Sequence, residues 1–202
     1  MSNQAYTKYV MLLFYLSLLI CGGCVVSNQD EELLAPLTQE DIPDPNKAIL
    51  VTEDTFLCLE KMHPVRGFFV GNILGRLDDT LAAAMQPEGA PYPPGSIVQL
   101  IPAEVMIKHH KGWSAKTNDW EFFELDVSEE GSKIKVRGTI HVKNKFGGSC
   151  FGCHQKAEPQ WDLICEEGHG CDPLPIPDFI IRSIQLNDPR CTLTQTLLNI
   201  HF

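Results

Sequence analysis

Residues 120–142 read WEFFELDVSEEGSKIKVRGTIHV, and the period of this stretch decides the fold class. Phe123, Leu125 and Val127 fall on one side of an extended chain and Trp120 and Phe122 on the other, so both faces carry bulky apolar groups. Ile134, Val136, Ile140 and Val142 then alternate with Lys135, Arg137, Thr139 and His141, the period of two of a half-buried strand. Glu129-Glu130-Gly131-Ser132 between them is turn chemistry and joins the two as an antiparallel hairpin.

Working outward, residues 96–108 (SIVQLIPAEVMIK) are apolar at Ile97, Ile101, Val105 and Ile107. Pro102 cannot donate to a ladder, so a bulge, a break or an edge position is expected there. Residues 67–73 read as a further strand, and Asp78-Asp79-Thr80 before Leu81-Ala82-Ala83-Ala84-Met85 reads as an N-cap and a short helix. The expected fold is α+β: a mainly antiparallel sheet of about four to five strands, short flanking helices and a C-terminal loop that carries the chemistry.

The chain has 202 residues with 26 Asp and Glu against 16 Lys and Arg, a formal charge of −10, which argues against holding nucleic acid through overall charge. Its eight cysteines make the compartment the useful question. Lys8 is the one charged side chain in residues 1–23; the apolar run Val10–Ile20 follows, then Gly22 and Gly23. This is a signal-peptide pattern, shorter than the ~20 apolar residues of a membrane span unless counted through Val26 as an uncleaved anchor. Ile20-Cys21-Gly22-Gly23-Cys24 resembles a bacterial lipoprotein signal with Cys24 as the lipidated residue, although Cys21 stands where such signals usually carry Leu. The expected location is the periplasmic face of a membrane, reached through that lipid; a soluble periplasmic protein is the alternative. Residues 24–48, acidic and carrying Pro36, Pro43 and Pro45, read as a flexible tether, and residues 49–202 as the folded domain.

The residues richest in chemistry are Gly147-Gly148-Ser149-Cys150-Phe151-Gly152-Cys153-His154. Cys-x-x-Cys-His is the attachment signature of a c-type haem. Two thiols three positions apart on one turn reach the two vinyl groups on a porphyrin edge, and the next imidazole is placed under the iron. Cys150 and Cys153 are therefore the expected attachments of one covalent haem c, with His154 as the iron ligand. Other readings are a thioredoxin-like dithiol, which lacks a βαβ setting, a zinc knuckle recruiting Cys165, His169 or Cys171, whose spacing is loose, and a strained local disulfide.

If Cys21 leaves with the signal and Cys24 is lipidated, Cys58, Cys165, Cys171 and Cys191 remain, an even number that suits two disulfides. Three pairings are open. Cheap closure of a short loop favours Cys165 with Cys171, which leaves Cys58 for Cys191. His169, inside that loop, reads as a solvent-exposed turn residue, with a second axial ligand as the alternative.

Tyr92-Pro93-Pro94-Gly95-Ser96-Ile97-Val98 leads into a strand, Met106-Ile107-Lys108-His109-His110-Lys111 ends one, and Asp119-Trp120-Glu121-Phe122-Phe123 begins another. With the C-terminal Cys150-Phe151-Gly152-Cys153-His154, roughly residues 66–165 resemble the cytochrome P-460 family and its relatives, the beta-type cytochromes c-prime. The resemblance implies a mainly antiparallel β fold, one five-coordinate haem c and pairing of two copies through their sheets. Members that oxidise hydroxylamine carry a lysine bonded to the porphyrin five residues past the turn glycine; here Leu100 holds that place, after Gln99. Gas-binding relatives have an apolar residue there, so the resemblance implies a distal side open to small neutral ligands such as NO and CO. The implied function is an exported monohaem cytochrome that binds a small gaseous or nitrogen-oxide ligand or exchanges electrons with a redox partner protein. Alternatives are a six-coordinate electron carrier drawing on Met62, Met106, His109, His110 or His169, an oxidoreductase of a small nitrogen compound with Lys108 as the cross-linked residue, and a disulfide-stapled lipoprotein without haem. The acidic balance suits docking on a basic redox protein.

Overall fold

A computed structural model describes residues 42–191. The signal-peptide assignment, Cys21, the lipidation assignment at Cys24 and most of the tether lie outside the described residues. So does the tail beyond Cys191. No helix among the described residues is long and apolar enough to cross a membrane.

Six strands form one antiparallel sheet in chain order: β1 (His63–Val65), β2 (Phe68–Asn72), β3 (Ser96–Ile101), β4 (Glu104–Lys108), β5 (Trp120–Ser128) and β6 (Gly131–Gly138). Three helices accompany it: α1 (Leu77–Ala84), α2 (Cys150–His154) and α3 (Asp178–Leu186). The α+β meander is as the period reads, but with six strands instead of four or five. The extra strand, β1, is three residues long and contains Pro64, too short to carry a period.

The two faces of β5 bury into different cores. Trp120 and Phe122 join Val70, Val98, Met106, Phe151 and Leu163 in a front cluster, while Phe123 and Leu125 join Phe56, Ile97, Val105 and Ile107 at the back. The chain breaks at Pro102: Ile101 pairs with Glu104, so Pro102 and Ala103 form the turn between β3 and β4, and the Gln99 side chain donates to the Pro102 carbonyl at 2.7 Å. The alternation seen through Val142 outlasts its strand. β6 ends at Gly138, whose φ of +153° favours glycine, and Val142 reaches the front cluster from the loop beyond. As the last strand, β6 leaves Val136 exposed.

Helix α1 starts at Leu77, so Asp78 and Asp79 sit inside its first turn, where their charge suits the free N–H groups, and do not cap it. Helix α3 was not legible, because Pro173, Pro175 and Pro177 mask its start; it buries Ile181 and Gln185, four residues apart on one face. Gln185 Nε2 donates to the Gly67 and Leu100 carbonyls, both at 2.8 Å, which seats α3 on the end of β3. The tether's last residues belong to the body: Asp44 N–H donates to the Trp113 carbonyl at 2.7 Å, and His110 N–H donates to the Lys47 carbonyl at 3.2 Å. The disulfides are Cys58–Cys191, across 133 positions, and Cys165–Cys171.

Behind the sheet lies a buried polar network. Ile49 N–H donates to His109 Nδ1 at 2.8 Å, so His109 Nε2 carries the proton it donates to Glu121 at 2.8 Å. Arg137 adds two bonds to the same carboxylate, at 2.7 and 2.8 Å. Burial opposes the Glu121 charge, but the bonds from His109 and Arg137 outweigh it and hold the carboxyl below its ordinary value. A depressed carboxylate contributes stability above its unfolded pKa and loses it as pH falls through the folded one. Urea midpoints should therefore decline below about pH 4. Glu121→Gln should cost about 2 kcal/mol at neutral pH and make the acid decline shallower. The decline should not vanish, because Asp188 is also held low: burial opposes its charge, and Arg190 and the Leu59 N–H outweigh that. An unchanged pH profile in the variant would contradict the assignment.

Candidate functional site

The chain approaches α2 through a loop that closes on itself. Lys143 bridges to Ser149, Asn144 N–H donates to the Gly148 carbonyl at 2.9 Å, and Asn144 Oδ1 accepts from Phe146 and Gly148 N–H at 3.1 and 2.9 Å. Gly147, at φ +84°, supplies the left-handed corner. Cys150 N–H then donates to the Val142 carbonyl at 3.0 Å and closes the loop's base.

Ser149 caps the single turn of α2, its Oγ accepting from Gly152 N–H at 3.0 Å. A Cβ on Gly152 would lie 2.9 Å from that Oγ, so a side chain at the second of the two positions between the cysteines would crowd the cap. The turn sets Cys150 and Cys153 on one side, three positions apart. Both thiols are free, whereas the other four described cysteines are in disulfides. Burial, then the nearby Glu104 and Glu124 carboxyls, push the Cys150 thiol up to about 12. A thiol held protonated is a poor match for the thiolate that dithiol exchange requires.

His154 donates from Nδ1 to the Leu163 carbonyl at 2.7 Å, and burial pushes its imidazole below the ordinary histidine range. The ring is thus neutral with its lone pair on Nε2, the form that can ligate a metal. It packs 5.4 Å from the Phe122 ring. The accepting carbonyl is set by an unusual backbone: Asp162 and Leu163 both adopt left-handed geometry, at φ 51° and 66°. Asp162 is held from three sides. Lys108 Nζ meets both carboxylate oxygens at 2.7 Å, Tyr92 N–H donates to one of them at 2.8 Å, and Trp120 Nε1 donates to the Asp162 carbonyl at 2.8 Å. Burial pushes Lys108 down and Asp162 up against their mutual attraction.

Leu100 packs on the edge of the front cluster, as does Cys150. Lys108, the alternative cross-linking residue, is committed to Asp162. Of the alternative axial donors, Met106 is in the front cluster, Met62 packs against the back one, His109 has both nitrogens bonded in the back network, and His110 is exposed. His169 is buried, not solvent-exposed. It stacks on Trp161 with centroids 3.7 Å apart, and its Nδ1 bonds the Ile164 carbonyl at 2.9 Å, because the Cys165–Cys171 bridge folds its loop back. The clustered Cys58, Asp188 and Cys191 are not a metal centre, since the two sulfurs are bonded to each other.

Sequence reading missed Ser149, although Ser before a short helix is an N-cap signal, and it missed Asp162 and Leu163, whose partners are distant in sequence. It also missed Glu104 and Glu124, cross-strand neighbours beside Cys150. Burial pushes both carboxyls up, and Glu124 Oε2 is buried without a partner. No protein-family model, curated protein or solved structure matches the chain.

Removing one partner of a buried ion pair strands the other charge. Lys108→Met should cost about 3–5 kcal/mol by denaturant unfolding, and the double variant with Asp162→Asn should recover part of that loss. Additive losses in the double variant would show that the two residues do not act together.

Proposed function

We propose that the chain is an exported monohaem c-type cytochrome of cytochrome P-460-like type, with an open distal side for a small ligand. The observation that carries this reading is the donor set of α2: two free thiols on one turn, followed at once by a neutral imidazole whose Nε2 makes no hydrogen bond among the described residues. That set fits haem c. Cys150 and Cys153 would hold the porphyrin through thioethers and His154 would ligate the iron through Nε2. The bound group would supply a redox-active iron able to take a small ligand. Leu163 does the orienting, because its carbonyl fixes the tautomer and raises the basicity of the ring.

The apolar Leu100 at the same cluster supports a neutral ligand such as NO or CO over a charged one, and the engagement of Lys108 by Asp162 speaks against hydroxylamine oxidation. Electron transfer to a partner protein fits the same haem. Anchorage by lipid on Cys24 at the periplasmic face accompanies this reading, and the two disulfides suit an oxidising compartment.

Protein purified from a host that attaches haem c should show a Soret band, a sharp ferrous spectrum that CO shifts, and haem that acidic organic solvent does not extract. Cys150→Ala with Cys153→Ala should release the haem to extraction. Protein without a Soret band overturns the cytochrome reading. Six-coordinate ferrous iron indifferent to CO overturns ligand binding and leaves electron transfer, and a third covalent link through Lys108 overturns the argument from Leu100.

A further inference from the structure

Charge is unevenly spread along this acidic chain. Residues 131–157 hold six of the 16 Lys and Arg and no Asp or Glu, leaving ten basic and 26 acidic residues elsewhere. Three of the six are tied: Arg137 to Glu121, Lys156 to Asp172, and Lys135 to Asp126 at 3.8 Å. Lys133, Lys143 and Lys145 make no ion pair among the described residues. The last two flank Asn144 in the loop before α2, and the next residue, Phe146, is 73% exposed.

This tip is built, not loose. The bonds from Asn144 and the bridge from Lys143 to Ser149 fix its backbone, and Lys145 Nζ lies 5.1 Å from the centre of the Phe146 ring. The Glu104 and Glu124 carboxyls attract Lys145, but neither forms an ion pair with it among the described residues. An aromatic ring displayed on a rigid loop directly after two cations without ion-pair partners among the described residues combines an anchor with a charge pattern, the elements by which a partner surface is recognised. The local charge is opposite to the net charge, so the acidic balance that suits a basic partner reverses here.

We propose that Lys143, Lys145 and Phe146 form a docking point for an acidic protein surface, with Phe146 as the apolar contact. Resting on the haem reading above, a partner seated there would face the segment that carries the cofactor, Cys150 being four residues past Phe146. That makes an acidic electron-transfer protein the occupant the geometry favours.

Isotope-labelled full chain titrated with a glutamate–tyrosine copolymer and with polyglutamate reads the surface without requiring haem. Amide shifts should concentrate at residues 141–149 and fade with salt. Lys143→Gln with Lys145→Gln should weaken binding of both polymers about tenfold, whereas Lys111→Gln with Lys116→Gln, which removes the same charge elsewhere, should leave it within about twofold. Phe146→Ala should weaken the copolymer more than polyglutamate. Equal losses in the two lysine pairs, no binding, or binding only to vesicles containing anionic phosphatidylglycerol would each overturn the proposal. A preparation that binds the copolymer but lacks a Soret band would sink the cytochrome and keep the surface; one with haem and no binding would do the reverse.

Discussion

The buried contact between Lys108 and Asp162 is the constraint on which the site depends. Two charges withdrawn beneath an apolar cluster are costly to desolvate, and a well-packed apolar pair would commonly be at least as stable. What the pair contributes is position. Lys108 projects from the end of β4 and Asp162 lies 54 residues later, so their contact fastens the segment after α2 to the sheet. With Tyr92 and Trp120 it holds two successive left-handed residues in place, and the second offers the carbonyl that orients His154. Strain of this kind persists only where surroundings over-determine it.

That dependence explains which parts of the molecule were legible in the sequence. The hairpin of β5 and β6 was readable because its information is local: two apolar faces in Trp120–Val127 and an acidic turn ending in glycine. The break at Pro102 was readable as well, since a residue without an N–H must interrupt a ladder. The end of β6 was not, because the alternation continues through Val142 and only the backbone angle at Gly138 shows that the ladder has stopped. Helix α3 escaped for the opposite reason, its one buried face being set by what it meets on β3 and not by a long period.

The candidate site divides in the same way. Cys150, Cys153 and His154 are adjacent in sequence and announce themselves by spacing, and Leu100 was reachable only through resemblance to a family. Their supports are distant: Leu163 nine residues beyond His154, Lys108 far upstream, and Glu104 and Glu124 brought beside Cys150 by register between β4 and β5. His169 shows how a local reading fails. A histidine among glycines and glutamates looks exposed, yet the short disulfide turns it back onto Trp161.

The free thiols pose one further question, since the chain closes its other four described cysteines into disulfides. Disulfide exchange begins with a thiolate, so a thiol pushed up to about 12 is slow to enter it at neutral pH. Burial is the largest cause, and the Glu104 and Glu124 carboxyls add to it. The two carboxyls are themselves poorly placed for stability, a half-buried Glu104 paired across the strands with a buried Glu124 that has one oxygen lacking a partner among the described residues. Their position is intelligible if it serves Cys150: negative charge next to a thiol disfavours its ionisation. A chain that leaves two cysteines as thiols while closing four others into disulfides needs such a distinction between them. Here the sheet supplies it by setting Glu104 opposite Glu124 beneath the turn that carries Cys150.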